Sequence, residues 1–348
     1  DTTLNLIKDY SFYTNTLVDD NKNEFDFVKL SLDEVKDILF RKKSWIGKPI
    51  FFCKKGKNKN EIIPFETKSF FNNLIRSKKI KYIQGQVIKV GQNKNKTFVF
   101  YKSQNDKIKK IEYNQIFCGA GALSSSRIIN NSINSIDDTV FMNTSKKGLF
   151  FSLFKKKTII DLNNSHPIYQ GIIFEDNKAK IYIQCYLFSQ MLYNFIPKFL
   201  KIFFKIILSL NIFKYLAIIF ISIDHNSEVK VINNSNIITQ NKTIKKNLLK
   251  KLFKKINTVQ NIFTIYSIGK YLPSLAGNHY GASFLYKKNN SKIKFTLSDK
   301  IGKVHGLKNF YIIDSTSLNK ILCVPPTLLS MMHSCRITSN VLNKNKIV

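Results

Sequence analysis

Residues Gly277–Ser283 read GNHYGAS, residues Ser298–Ser317 read SDKIGKVHGLKNFYIIDSTS, and residues Pro325–Arg336 read PPTLLSMMHSCR. In that order they place a histidine, His279, among small residues that leave room beside it. A strand, FYIID, then ends at Asp314. A Pro-Pro-Thr step finally opens an apolar helix, as proline does well in a first helical turn, where its missing N–H is not needed. Strand, acidic turn and helix start together can hold a polar cofactor. The helix start offers unpaired N–H groups and a positive dipole to an anion or an electron-rich ring edge.

Upstream lies a second arrangement of the same kind. Residues 80–90, IKYIQGQVIKV, alternate and break at Gly85, as a bent strand would. TFVFYKS and KKIEYNQIFCGAG follow as further strands. The last ends in Gly119-Ala120-Gly121 and runs into LSSSRIINNS, read as a helix carrying Arg127. Strand, glycine turn and helix let a backbone approach a dinucleotide closely. A lone GxG also suits a plain tight turn.

The remaining segments read as scaffold. Residues 1–75 are expected to form loops and short helices, with SLDEVKDILFRK a helix capped by Ser31 and Glu34 and apolar at Leu32, Val35, Ile38 and Leu39. GLFFSLF, TIIDL, YQGIIFE and KIYIQCYLF alternate, as strands of an antiparallel sheet do. Gln184 and Tyr186 on it are either substrate-facing groups or sheet surface. Residues 195–223 are expected to form an amphipathic helix, with Lys198, Lys201, Lys205 and Ser209 on one face. Charges interrupt it too often for a membrane span. It would lie in a membrane interface or cover the sheet. KKNLLKKLFKKI, with Leu248, Leu249, Leu252, Phe253 and Ile256 on one face, reads as a surface helix.

At 348 residues and 44% hydrophobic composition the chain can bury a core and form two domains. Its 56 basic and 22 acidic residues leave a net charge of +34. Arg, the preferred fork for phosphates and base edges, is scarce, so nucleic acid is not the expected partner, while an anionic membrane surface is compatible. Five scattered cysteines without CxxC spacing support neither a disulfide framework nor a metal site, and a cytoplasmic location is expected. The start, DTTLNLIKDYSFY, has no signal-peptide pattern.

His279, Gly281, Ser283, Asp299, Gly302, His305, Gly306, Asn309, Tyr311, Asp314, Ser315, Pro326, Thr327, Met331 and Arg336 fall at the spacing of a family pattern. On these residues the chain resembles the glucose-methanol-choline (GMC) flavin oxidoreductases, most of all the branch associated with polysaccharide and lipopolysaccharide synthesis.

The resemblance implies an α/β (α+β) chain with a Rossmann-like FAD-binding domain and an antiparallel-sheet substrate domain. Residues 1–145 would be part of the first, residues 146–270 the second, and residues 271–348 a return to the first carrying the active site. No GxGxxG occurs in the sequence, so an N-terminal FAD-binding segment is expected to be missing. The cofactor implied is FAD, with Val87, Gly119, Ala120, Gly121, Asp314, Ser315, Pro326 and Thr327 as its neighbours. His279 would be the catalytic base, taking a hydroxyl proton as hydride leaves for the flavin. Pro325 stands where the family usually has a second His or Asn, and its side chain can neither donate nor accept a proton. His305 and His333 are read as structural. The implied substrate is an alcohol of a sugar or lipid-linked glycan, met at the inner face of a membrane. Two other readings stay open: a non-catalytic, membrane-associated flavoprotein remnant, and a basic polyanion-binding protein.

Overall fold

The chain forms two compact units, the first comprising Asp1–Tyr82, Gly148–Ser222 and Ile244–Tyr271, the second Ile83–Lys147, Ile223–Thr243 and Leu272–Val348. The computed structural model describes residues 11–19, 24–31, 33–35, 37, 43–55, 62–64, 67–93, 96–133, 140–156, 166–176, 178–208, 210–231, 237–240, 246–272, 280–287, 290–296, 298–319, 321, 323–324 and 327–344. In this division residues 1–82 group with residues 148–222 and 244–271.

The first unit opens on strands where loops and short helices were expected. β1 (Ser11–Asp19) and β2 (Glu24–Leu30) pair antiparallel, Phe12 opposite Leu30. The other edge of β1 takes β4 (Ile50–Lys55), which pairs in turn with β5 (Ile62–Pro64); β3 (Trp45–Gly47) lies between β2 and β4 in the chain. SFYTNTLVD and EFDFVKL are rich in Phe, Tyr, Thr and Val, which fit a pleated surface better than a helix. The capping box does form after β2. The Ser31 amide donates to Glu34 Oε2 at 2.7 Å, and the Glu34 amide donates to Ser31 Oγ at 3.1 Å. Leu32, Ile38 and Leu39 lie outside the described residues. A helix, α1 (Thr67–Arg76), follows β5.

The main sheet of this unit sets β11 (Tyr169–Glu175) between β3 and β12 (Lys178–Leu187), antiparallel to both. Residues 158–162, expected as a strand, lie outside the described residues. The second half of β10 (Val140–Phe154) pairs antiparallel with β15 (Phe263–Tyr271). Helix α5 (Lys246–Val259) buries Leu252, Phe253 and Ile256, with Phe253 edge-on to Phe150 at 4.9 Å. Gln184 and Tyr186 are half-buried. Gln184 sits opposite Gln170, and Tyr186 meets Phe220 edge-on at 5.6 Å; burial pushes the Tyr186 hydroxyl's pKa up.

The expected helix over residues 195–223 is not one helix. After α3 (Phe188–Phe195) comes a short 3-10 turn, Lys198–Leu200, then α4 (Lys201–Leu208), a second turn at Asn211–Lys214, and strand β13 (Leu216–Val231). Pro197 has no amide with which to continue α3. From Leu216 the β-branched run wins as strand, because Ala217, Ile219, Ile221 and Ile223, at period two, are all buried. Ser209 lies outside the described residues.

In the second unit β6 (Gln86–Gln92), β7 (Thr97–Lys102) and β8 (Ile108–Tyr113) form an antiparallel meander. β9 (Ile116–Cys118) feeds α2 (Ala122–Ser132) and lies parallel to β18 (Phe310–Ile312), Ile312 opposite Cys118. β16 (Tyr280–Lys287) pairs with the first half of β10 and with β17 (Asn290–Thr296), and β14 (Ile237–Gln240) with the end of β13. The C-terminal helix is α6 (Thr327–Lys344). Val90, Ile128, Ile129, Met142, Val304, Phe310 and Ile312 make the core. A second cluster joins Tyr311 to Ile337 and Val341 of α6. The whole is mixed α/β with antiparallel sheets.

Two glycines of one loop permit a controlled comparison. Gly302 and Gly306 have φ of 76° and 81°. A Cβ on Gly302 would stand 2.6 Å from Ile337 Cδ1 and 2.7 Å from the Ile312 carbonyl oxygen, whereas one on Gly306 meets nothing within 4 Å. Gly306→Ala is therefore expected to cost backbone strain alone, about 1 kcal/mol. Gly302→Ala adds overpacking and should cost about 3 kcal/mol by urea unfolding. Equal midpoints for the two variants would refute the contact with α6.

Candidate functional site

Parallel strands β9 and β18 end side by side, so their following turns, Gly119–Gly121 and Asp314–Ser315, are held together at the carboxyl ends of both strands. The Ile313 amide extends the pairing by donating to the Cys118 carbonyl at 2.9 Å. Asp314 then ties the two turns. Its Oδ2 accepts from the Gly121 amide at 3.0 Å and from the Ser125 hydroxyl at 2.5 Å, and its Oδ1 accepts from the Thr316 amide at 2.9 Å. Gly121 takes φ 84°, a conformation glycine adopts without a Cβ penalty.

A cavity of about 570 Å³ opens over this crossover. Val87, Gly119 and Ala120 line it, as do Ser124, Arg127, Ile128 and Asn131 of α2, with Ile88, Val99 and Phe310 supplying apolar wall. Positions 124, 127, 128 and 131 recur at helical spacing, so one face of α2 forms a side of the cavity. The start of α2 has no side-chain cap, and a Cβ on Gly121 would meet no atom within 4 Å, so the space before the helix is open. The Gly121 amide is committed to Asp314. The first-turn amides from Ala122 onward are those that lack an intrahelical partner by geometry. Cys118, also in the wall, has its thiol pKa raised by burial, against a weaker opposing hydrogen-bond effect at Ser125 Oγ, 3.2 Å away, to which the thiol donates because the Ser125 hydrogen goes to Asp314. It is wall material, not a nucleophile.

The remaining expected site residues are spread. The Ser315 hydroxyl donates to the Tyr280 carbonyl at 2.6 Å, joining the Asp314 turn to β16. Thr327 is the exposed first residue of α6. His279, Pro325 and Pro326 lie outside the described residues. Gly281, Ala282 and Ser283 are all buried, and a Cβ on Gly281 would stand 2.3 Å from the Ser315 carbonyl oxygen. Their smallness lets β16 pack against the Asp314 turn, and Ser283 meets Ser126 of α2 at 3.1 Å. Arg127, Ser124 and Asn131 were not among the expected cofactor neighbours. Their i, i+3, i+7 spacing behind the GxG turn is legible in the sequence once the start of α2 is known.

His333 holds the other side of the Asp314 turn. Its Nδ1 lies 3.2 Å from Arg336 Nη2 and its Nε2 2.8 Å from Ser317 Oγ. Arginine can only donate, so Nδ1 accepts and the proton sits on Nε2, which donates to Ser317. Ser317 Oγ in turn donates to the Asp314 carbonyl at 3.1 Å. Burial, then the Arg336 charge, hold the His333 pKa below its ordinary 6.5. The unfolded chain thus takes up this proton first as pH falls. Stability is present above pH 6.5 and is lost as pH falls through the lower folded value. His333→Gln is expected to flatten the acid limb of a melting-temperature profile between pH about 7.5 and 5. An unchanged slope would assign that limb elsewhere, His166 being also depressed by burial.

No protein-family model matches the sequence, and no curated protein does. Among solved structures the chain is similar to pyridoxine 4-oxidase from Mesorbium loti, at a TM-score of 0.49 and 11% identity over 74% of this chain. The match takes in 57% of that protein's chain, so this chain spans little more than half of its length.

Proposed function

We propose that the second unit binds FAD and that the protein is an FAD-dependent oxidoreductase of CH–OH groups. The observation that carries this reading is the cavity at the strand–glycine–helix crossover, walled by Val87, Gly119 and Ala120 and by one face of α2. These residues fit the adenosine diphosphate half of the cofactor. The uncapped start of α2 and the Arg127 guanidinium suit its diphosphate, and Val87, Ile88 and Val99 suit its base. Asp314, with its carboxylate committed to Gly121, Ser125 and Thr316, would keep the turn in shape. Ser315, Pro326 and Thr327 would lie towards the flavin half, as the family resemblance implies.

When bound, FAD would supply the hydride acceptor. His279 would take the alcohol's proton on an imidazole nitrogen as the carbonyl forms. The proposed substrate is a hydroxyl of a sugar or glycan precursor, used in surface-polysaccharide synthesis.

The test is a visible spectrum of the purified full gene product, with and without added FAD. The expected result is a bound oxidised flavin that a nucleotide- or lipid-linked sugar bleaches and a simple aliphatic alcohol does not. Arg127→Ala should weaken FAD binding about tenfold by fluorescence titration. A well-folded, colourless protein that takes up no FAD would sink the reading and favour a non-catalytic scaffold. Bleaching by simple alcohols alone would remove the glycan assignment.

A further inference from the structure

On the first unit the amphipathicity of α4 is turned outward. Leu208 is fully buried and Phe204 half-buried, while Ile202, Phe203 and Ile206 are 68–75% exposed and Ile207 is 47% exposed. At 100° per residue these four span an arc of about 140°. The flanking turns continue the face with Phe199, Leu210 and Ile212, all more than half exposed. Lys198 and Lys205 are exposed, and Lys201 sits over the Tyr193 ring at 4.6 Å. In projection Lys201 and Lys205 lie beside the apolar arc, between it and the buried side. Large contiguous apolar faces are rare on free surfaces.

We propose that residues 198–212 dock the protein onto an anionic lipid surface, the apolar face entering the headgroup boundary and the lysines meeting lipid phosphates. The occupant follows from charge complementarity. A broad apolar face edged by lysines, on a chain of net charge +34, matches an anionic interface, which offers hydrocarbon and negative charge together. Helix α4 has 8 residues, far short of the roughly 20 that a spanning helix needs, so docking through it means lying on the surface. The proposal is independent of the FAD reading.

The experiment is co-sedimentation of the full chain with vesicles of phosphatidylcholine alone, or mixed about equally with phosphatidylglycerol. The wild type should pellet with the mixed vesicles and stay in solution with phosphatidylcholine alone. Lys198→Glu with Lys205→Glu should weaken partitioning by about thirtyfold or more. Ile202→Ser with Phe203→Ser and Ile206→Ser should abolish it while leaving the circular dichroism spectrum and melting temperature intact, because these side chains contribute little to the core. Undiminished binding by the serine variant, or no wild-type binding to mixed vesicles, overturns the proposal. So does a wild-type dimer that ignores vesicles and that the serine variant dissociates, which would make the face a contact between copies.

Discussion

Asp314→Ala is expected to destabilise the second unit by about 4 kcal/mol and to abolish FAD uptake. Hydrogen bonds to a charged acceptor are each worth about 1.5–3 kcal/mol and are not additive. Here three donors, the Gly121 amide, the Ser125 hydroxyl and the Thr316 amide, converge on one carboxylate. Two of them belong to the turn after β9 and its helix, and one to the turn after β18. Removing the carboxylate therefore leaves unpaired donors on both turns and releases the geometry of Gly119–Gly121, which forms part of the cavity wall. Asp314→Asn should recover only part of the loss, because its oxygen can accept while its NH2 must face a donor. Ser125→Ala, which removes one donor and leaves two, should cost about 1 kcal/mol. Urea unfolding followed by circular dichroism measures all three. An Asp314→Ala midpoint close to wild type would show that the two turns do not depend on the bridge.

His279→Ala is expected to slow reduction of the bound flavin by about 10²–10⁴-fold, the usual contribution of a positioned general base. An alcohol cannot lose hydride from carbon at a useful rate while its hydroxyl proton stays in place, and neutral imidazole titrates in the range where it can take that proton. FAD affinity and melting temperature should be unchanged in the variant, which separates this effect from that of Asp314→Ala. In stopped-flow measurements the limb of the wild-type pH profile that reports the base should vanish with the histidine. A retained limb and an unchanged rate would move the base to another residue. Pro325, which stands in the sequence where the family resemblance implies a second His or Asn, carries no proton acceptor, which makes the expected loss larger than in a site with two bases.

The sequence by itself determined the local elements wherever the pattern and the breaker residues agree. FYIID appears as β18, the GxG turn stands between β9 and α2, and the Ser31–Glu34 box forms, because each rests on spacing within a few residues. Four outcomes needed tertiary structure. Residues 11–19 and 24–30 become paired strands because pairing satisfies a whole ladder of backbone groups, a gain no single segment displays. Leu216–Val231 becomes a strand because burial at period two outweighs the helical pattern of the lysines before it. The residues after His279 proved small in order to pack against Ser315, a contact between positions about 35 apart in the chain that no local spacing encodes. The wall that adds Arg127 to the Gly119–Ala120 turn likewise exists only once α2 has a direction. Helix phase is set by the residue at which the helix begins, and that start is fixed by the Asp314 bridge from 193 residues away.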